Sequence, residues 1–312
     1  MNDLKILYMG TPDFSVLPLE RLIENYNVIG VVTQPDKEVG RKREIKFSPV
    51  KECALKHNIK VFQPKKIKEE YSSLLDLNPD IIITCAYGQI IPKALLDFPK
   101  YKCINIHASL LPKLRGGAPI HKAIINGYDK TGVTIMYMDE KMDSGDILYQ
   151  KEVIIDENDT AGSLFDKLSK LGSEMIIEFL PKLLSGDFKS VKQDESLVTY
   201  AYNVTREEEK IDFNKTKKEV YNQIRGLYPW PVGYSTFDDK KVKIYESKIG
   251  DSKKNGVNGE IINLYKDSIG VKTIDGEILL TEIQFEGKKR VLVKDYLNGL
   301  QDKNSIIGKI FK

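Results

Sequence analysis

Short apolar runs, each too brief for a helix, recur through the first third of the chain and constrain the fold more than any other feature. "LKILYMG", "NVIGVVTQ", "PDIIITCAYGQII" and "YKCINIHAS" are rich in β-branched residues and read as buried strands. Helix signals stand between them. Thr11 precedes Pro12 at the head of "TPDFSVLPLERLIENY", an N-cap followed by proline at the first helical position. Ser48-Pro49 repeats the signal before "VKECALKHN". Strands alternating with helices imply βαβ units, hence an α/β fold with a doubly wound, mostly parallel sheet. Ligands of such sheets bind outside the carboxyl ends of strands. Gly10, the Tyr87-Gly88 turn and the pair Asn105 and His107 all fall at such ends.

After Gly127 the pattern changes. "TGVTIMYM" and "DILYQKEVII" flank the turn "DEKMDSGD" as a hairpin-like unit. "TAGSLFDKLSKLGSEMIIEFLPKLLSG" then carries Leu164, Phe165, Leu168 and Leu171 at helical spacing. The chain turns polar from about Asp187, and a linker is expected over 190–206. It would divide a catalytic domain, 1–189, from a second domain, 207–312. In that second domain "KKEVYNQIRGLY" reads as a helix broken by "PWPVGY". Five short strands with close turn signals follow, the pattern of a small OB-like β-barrel.

Bulk properties exclude several classes. With 41% hydrophobic and 30% charged residues the composition is that of a globular protein, and no apolar run approaches the roughly 20 residues that span a bilayer. "MNDLKILYMG" lacks the pattern of a secretory signal, so cytoplasmic residence is expected. Cys53, Cys85 and Cys103 are scattered without CxxC spacing, so neither a disulfide framework nor a metal site is expected. The net charge of +3 permits an anionic partner without demanding one.

Asn105 and His107 lie two apart on a strand and therefore share a face. A loop with adjacent glycines, Gly116 and Gly117, follows and allows close backbone approach to a ligand. A histidine exchanges protons near neutral pH, and a neighbouring amide can donate to a developing oxyanion. The missing element is a carboxylate to orient the ring. Asp143 and Asp146 flank Ser144-Gly145, and each reads equally as an ordinary turn residue. The charge run around Lys37, Arg41, Lys42, Arg43 and Lys46 reads either as a solvated loop or as a grip on phosphates. Trp230, His57 and His121 read as packing or helix-end residues.

"NIHASLLPKLRGGAPI" together with "MDSGDIL" resembles the signature of the folate-dependent formyltransferases: Asn-x-His at a strand end, a Ser-Leu-Leu-Pro loop, and an aspartate 36 residues after the histidine (143 − 107 = 36). The resemblance implies a Rossmann-like catalytic domain in which Asn105, His107 and Asp143 are catalytic. Ser109, Leu110, Leu111 and Pro112 would line a site for 10-formyltetrahydrofolate, with Gln89, Ile90 and Ile91 in the segment facing the pterin. "MGTPDFS", "VVTQPDKEVGRKREIKFSPVK", "TREEEKIDFNKT" and "RGLYPWPVGY" are similar to the branch of the family that acts on charged tRNA. That likeness implies transfer of the formyl group to the methionine amine of initiator methionyl-tRNA for translation initiation. Arg41, Lys42 and Arg43 would then contact tRNA, the C-terminal barrel would bind it, and the protein would work as a monomer. A formyltransferase acting on a sugar nucleotide or small amine is the alternative. The chain departs from the family at Asn203, where a lysine is usual, and at His121, where relatives commonly carry an amide or another polar residue.

Overall fold

A computed structural model describes residues 2–40 and 43–312. Its first elements are β1 (Asn2–Gly10), α1 (Val16–Asn25), β2 (Tyr26–Val32), β3 (Lys37–Val39), β4 (Glu44–Lys46), α2 (Pro49–Lys56), β5 (Val61–Phe62), α3 (Ser72–Leu75), β6 (Ile81–Cys85) and α4 (Lys93–Leu96). Then come β7 (Cys103–His107), α5 (Pro119–Ile125), β8 (Lys130–Tyr137), β9 (Ile147–Ile154) and α6 (Ala161–Ser185). After a polar stretch follow α7 (Lys217–Gly226), β10 (Tyr234–Phe237), β11 (Lys240–Ile249), β12 (Ile261–Leu264), β13 (Ile269–Thr273), β14 (Gly276–Phe285), β15 (Val291–Leu292) and α8 (Val293–Asn298).

Two compact units emerge. One comprises residues 1–119, 130–154 and 165–202; the other comprises 120–129, 155–164 and 203–312. The first holds a seven-stranded sheet in the order β5-β2-β1-β6-β7-β8-β9. The five strands from β5 to β7 pair in parallel, while β7, β8 and β9 pair antiparallel. This is the mostly parallel α/β sheet expected, its antiparallel part supplied by the hairpin read after Gly127. Strand β6, "IIITC", is buried throughout, as a central strand covered on both faces must be. Leu7, Met9, Ile82 and Cys103 point into a core with Leu74 of α3 and Leu95 of α4. On β7 the alternate residue Ile106 packs toward α6, where a Cβ added at Gly172 would stand 3.0 Å from its Cγ2.

Helix starts follow their caps. Ser48 Oγ accepts from the Lys51 N–H at 3.1 Å and opens α2 with Pro49 in first position. The expected cap at Thr11 does not form. Pro12 is extended, a 3₁₀ turn occupies Asp13–Ser15, and α1 begins only at Val16. Thr11 Oγ1 instead donates to the Tyr87 carbonyl at 3.0 Å, which ties the end of β1 to the end of β6.

In the second unit five strands run antiparallel in the order β10-β11-β14-β13-β12, with β15 beside β14. The two edges, β12 and β10, are joined through the chain's last residues. The Gly308 N–H donates to the Ile261 carbonyl at 2.9 Å, and the Lys312 N–H to that of Thr236 at 2.8 Å. The tail thereby occupies strand edges that would otherwise stand open. Ile244, Val271, Leu280 and Phe311 fill the interior beside Val220 and Ile224 of α7. A reciprocal cap between Thr216 and Glu219 starts that helix.

Candidate active site

The parallel register aligns the carboxyl ends of β1, β6 and β7, with Gly10 opposite Cys85 and Thr84 opposite Asn105. Asn105 and His107 project from the last turn of the pleat on one face, both less than one-tenth exposed. Thr84 Oγ1 donates to Asn105 Oδ1 at 2.8 Å. The amide oxygen is thereby committed, and Nδ2 is the end turned away from β6. His107 Nε2 lies 3.1 Å from the Leu114 carbonyl oxygen, which can only accept. In the neutral ring Nε2 therefore carries the proton, and Nδ1 holds the lone pair.

The carboxylate arrives from the turn between β8 and β9. Asp143 has φ +49°, a left-handed conformation outside the ordinary range for a side-chain-bearing residue. Its Oδ2 stands 3.7 Å from His107 Nδ1 and accepts from the Gly116 N–H at 2.8 Å. Gly145 permits the turn: a Cβ there would lie 1.9 Å from the Tyr137 carbonyl oxygen. Asp146, the other candidate, instead accepts from Ser190 Oγ at 2.8 Å, while the carboxylate paired with His107 is that of Asp143.

Sequence reasoning missed what secures this arrangement. Residues 191–201, read as linker, bind the site loops. Gln193 Nε2 donates to the carbonyls of Asp143 at 2.8 Å and Gly145 at 2.7 Å, and its Oε1 accepts from Arg115 Nε at 3.0 Å. Buried Arg115 also pairs with Glu195. Further along, the Arg115 N–H donates to the Thr199 carbonyl at 2.9 Å, and the Ala201 N–H to that of Arg115 at 2.7 Å. No periodicity marks such a strap. The only available signal was its composition, which is poor in core formers but rich in side chains that hydrogen-bond.

The residues expected to line a folate site fall into two groups. Leu111 is buried, its N–H donating to Thr134 Oγ1 and its carbonyl accepting from Gln150 Nε2. Ser109 Oγ donates to the Lys113 carbonyl, and Ile91 joins the core. Gln89 spends its amide on Ile67 N–H and the Pro64 carbonyl. Leu110 and Pro112 are half-buried, and Ile90 is exposed at 64%. Beside them, the Tyr87 carbonyl accepts from Thr11 and from Gln34 Nε2 at 3.0 Å, which braces the same strand ends.

Of the basic residues, Arg41 and Lys42 lie outside the described residues. Arg43 has φ +51° and a largely exposed side chain 3.8 Å from Glu38. The segment around it is no plain loop: β3 and β4 form an antiparallel ribbon pairing Lys37 with Lys46 and Val39 with Glu44. Among the described residues no group of three or more His, Cys, Asp or Glu side chains is placed to hold a metal ion, and no helix is long and apolar enough to cross a membrane.

A family model described as formyl transferase matches residues 4–180, and one described as formyl transferase, C-terminal domain, matches 203–301. A methionyl-tRNA formyltransferase of Geobacillus sp. (strain WCH70) is 54% identical over 95% of this chain and 94% of its own. One from Staphylococcus aureus (strain MW2) is 49% identical over 98% of each. Among solved structures, the N-formyltransferase of Helicobacter canadensis, in complex with folinic acid and dTDP-3-aminofucose, superposes with a TM-score of 0.67. It is 23% identical, over 89% of this chain and 98% of its own, a likeness of fold. The sugar 3N-formyl transferase WlaRD gives a TM-score of 0.66 at 24% identity, over 93% of this chain and all of its own. Matched in both of its domains and along almost its full length, the chain belongs to the methionyl-tRNA formyltransferase family.

Proposed function

We infer that this protein transfers a formyl group to the free amino group of methionine carried on initiator tRNA. The observation that carries the reading is the likeness to methionyl-tRNA formyltransferases, about half of all positions over nearly the whole of both chains. The sugar-amine alternative has only a shared fold at under 25% identity behind it.

The formyl donor in this reading is 10-formyltetrahydrofolate. Exposed Ile90, half-buried Leu110 and Pro112, and the polar backbone at the ends of β6 and β7 suit a flat, partly apolar ring system. In the reaction the uncharged amine attacks the formyl carbon, sheds a proton, and the departing folate nitrogen gains one. His107 is the group that exchanges this proton, through Nδ1, because Nε2 is held by the Leu114 carbonyl. Asp143, 3.7 Å away, stands beside the ring nitrogen that takes the proton and orients the imidazole. Asn105 offers Nδ2 to the oxygen that gains charge, its orientation already set by Thr84, so no reorganisation is needed as charge develops. Arg43, with Arg41 and Lys42, makes phosphate contacts on the acceptor stem, and the C-terminal barrel carries the rest of the tRNA. The setting is the cytoplasm, where initiator tRNA is charged, and the working unit is a monomer.

The test supplies labelled 10-formyltetrahydrofolate with charged initiator tRNA, a dTDP-amino sugar, or water alone. Label should pass to the tRNA amine. Transfer to the sugar amine with none to tRNA would replace this reading with the alternative.

A further inference from the structure

The strap that secures Asp143 ends in a pair of tyrosines the reaction chemistry does not use. Tyr200 and Tyr202 stack with ring centroids 5.5 Å apart and planes within 5° of parallel. Both are open to solvent, at 49% and 63% exposure, while Ala201 between them is fully buried. The alternation is that of an extended segment showing one face outward.

The backbone beneath the rings is held. Leu114 N–H donates to Thr199 Oγ1 at 2.9 Å, the Arg115 N–H donates to the Thr199 carbonyl while the Arg115 carbonyl accepts from the Ala201 N–H, and the Ala118 N–H donates to the Ala201 carbonyl at 2.9 Å. The chain they grip is Leu114–Ala118. Its Leu114 carbonyl faces His107 and its Gly116 N–H holds Asp143. A Cβ at Gly116 would stand 2.7 Å from the Ala201 carbonyl oxygen, so strap and loop are in close contact where the rings emerge. A pair of exposed, mutually aligned aromatic rings thus stands on the segment that grips the catalytic loop.

We propose that Tyr200 and Tyr202 form a stacking platform for the unpaired bases at the acceptor end of the tRNA substrate. The proposal rests on the functional reading above and adds where that substrate's single-stranded end lies. The occupant follows from the site. To bring a tRNA-borne amine to His107, several unpaired nucleotides must cross the surface around the catalytic loop. Unstacked bases lose stacking partners there, and aromatic side chains replace them without regard to sequence. Two tyrosines supply broad flat faces at small conformational cost. Their continuity with the loop adds a consequence: a base resting on the rings presses on the same segment that sets His107 and Asp143.

The experiment uses the full-length protein and initiator tRNA carrying 2-aminopurine in its single-stranded acceptor end. Wild type should quench the probe on binding, and Y202A and the double variant Y200A/Y202A should quench it less. KM for charged initiator tRNA should rise about fivefold to a hundredfold on loss of one stacked base. Y202F and Y200F should restore both readouts, because they keep the ring and remove only the hydroxyl, and circular dichroism and thermal unfolding of the alanine variants show separately that they remain folded. Unchanged quenching and unchanged KM in the alanine variants would overturn the platform. If wild type itself fails to formylate charged tRNA, the functional reading falls instead, and the two failures are told apart in one series.

Discussion

Gln193 donates from Nε2 to the main-chain carbonyl of Asp143 at 2.8 Å, and the same nitrogen reaches the Gly145 carbonyl at 2.7 Å. Fifty residues separate the glutamine from the aspartate in sequence. The amide therefore holds the turn whose left-handed Asp143 faces His107, although it touches neither reacting group.

Replacing Gln193 should show that dependence. Q193A removes both hydrogen bonds to the turn, worth together about 1–3 kcal/mol, and with them the one Oε1 accepts from Arg115. Displacement of the aspartate by about an ångström can cost on the order of a hundredfold in rate. The expected outcome is a fall in kcat exceeding any rise in KM for the formyl donor, with a modest drop in Tm. Q193E should be worse, since its carboxylate would face two carbonyl oxygens. Full kcat in Q193A would show that the turn keeps its aim unaided.

The three polar groups at the site should separate by role. H107A should lose about 10²–10⁴-fold in kcat, the scale of general acid–base catalysis. N105A should lose about 10²–10³-fold, the scale of one oxyanion donor. D143N preserves an acceptor for the Gly116 N–H but removes the charge beside His107. It should stay folded and lose kcat. Steady-state formyl transfer, with circular dichroism as a check on folding, decides; near-normal rates in all three variants would end the mechanism.

Gly145 is required by space. G145A places a carbon 1.9 Å from the Tyr137 carbonyl oxygen, which is backbone and cannot swing aside. Overpacking of this kind should cost about 2–3 kcal/mol or displace the turn, with activity lost in either case. G287A is the comparison: it also changes a turn glycine, with φ +72°, but its Cβ would meet nothing within 4 Å. It should show the milder loss expected of backbone strain alone, and thermal unfolding of the two proteins measures the difference.

His121 gives the second unit an acid-sensitive point. Its Nδ1 donates to the Gly226 carbonyl at 2.8 Å, and burial holds its pKa below the ordinary 6.5. The unfolded chain takes up a proton below about pH 6.5 while the folded ring stays neutral. The histidine's contribution is thus complete above that pH and fades as pH falls through the folded value, by at most about 1.4 kcal/mol per pH unit. H121Q should flatten this limb between pH 7 and pH 5 in denaturant titrations. Parallel pH profiles for wild type and variant would remove the effect.

The alternation of β-branched runs with helix caps was readable without coordinates, because strand and helix periods are properties of neighbouring residues. So were the Asn105–His107 pair, which the two-residue pleat places on one face, and the small barrel, whose turns announce its strands. Thr11 was misread because its hydroxyl had a better partner 76 residues away, the Tyr87 carbonyl, than any helix end could offer. Asp143 and Asp146 looked alike in sequence; folding chose between them through a left-handed backbone angle and the Gly116 N–H. The strap over 191–201 and the tail that joins β12 to β10 are likewise built from backbone hydrogen bonds between distant segments. Such bonds use groups that nearly every residue carries, so they leave no pattern in the chain. They exist only once the sheet and barrel have brought the segments side by side.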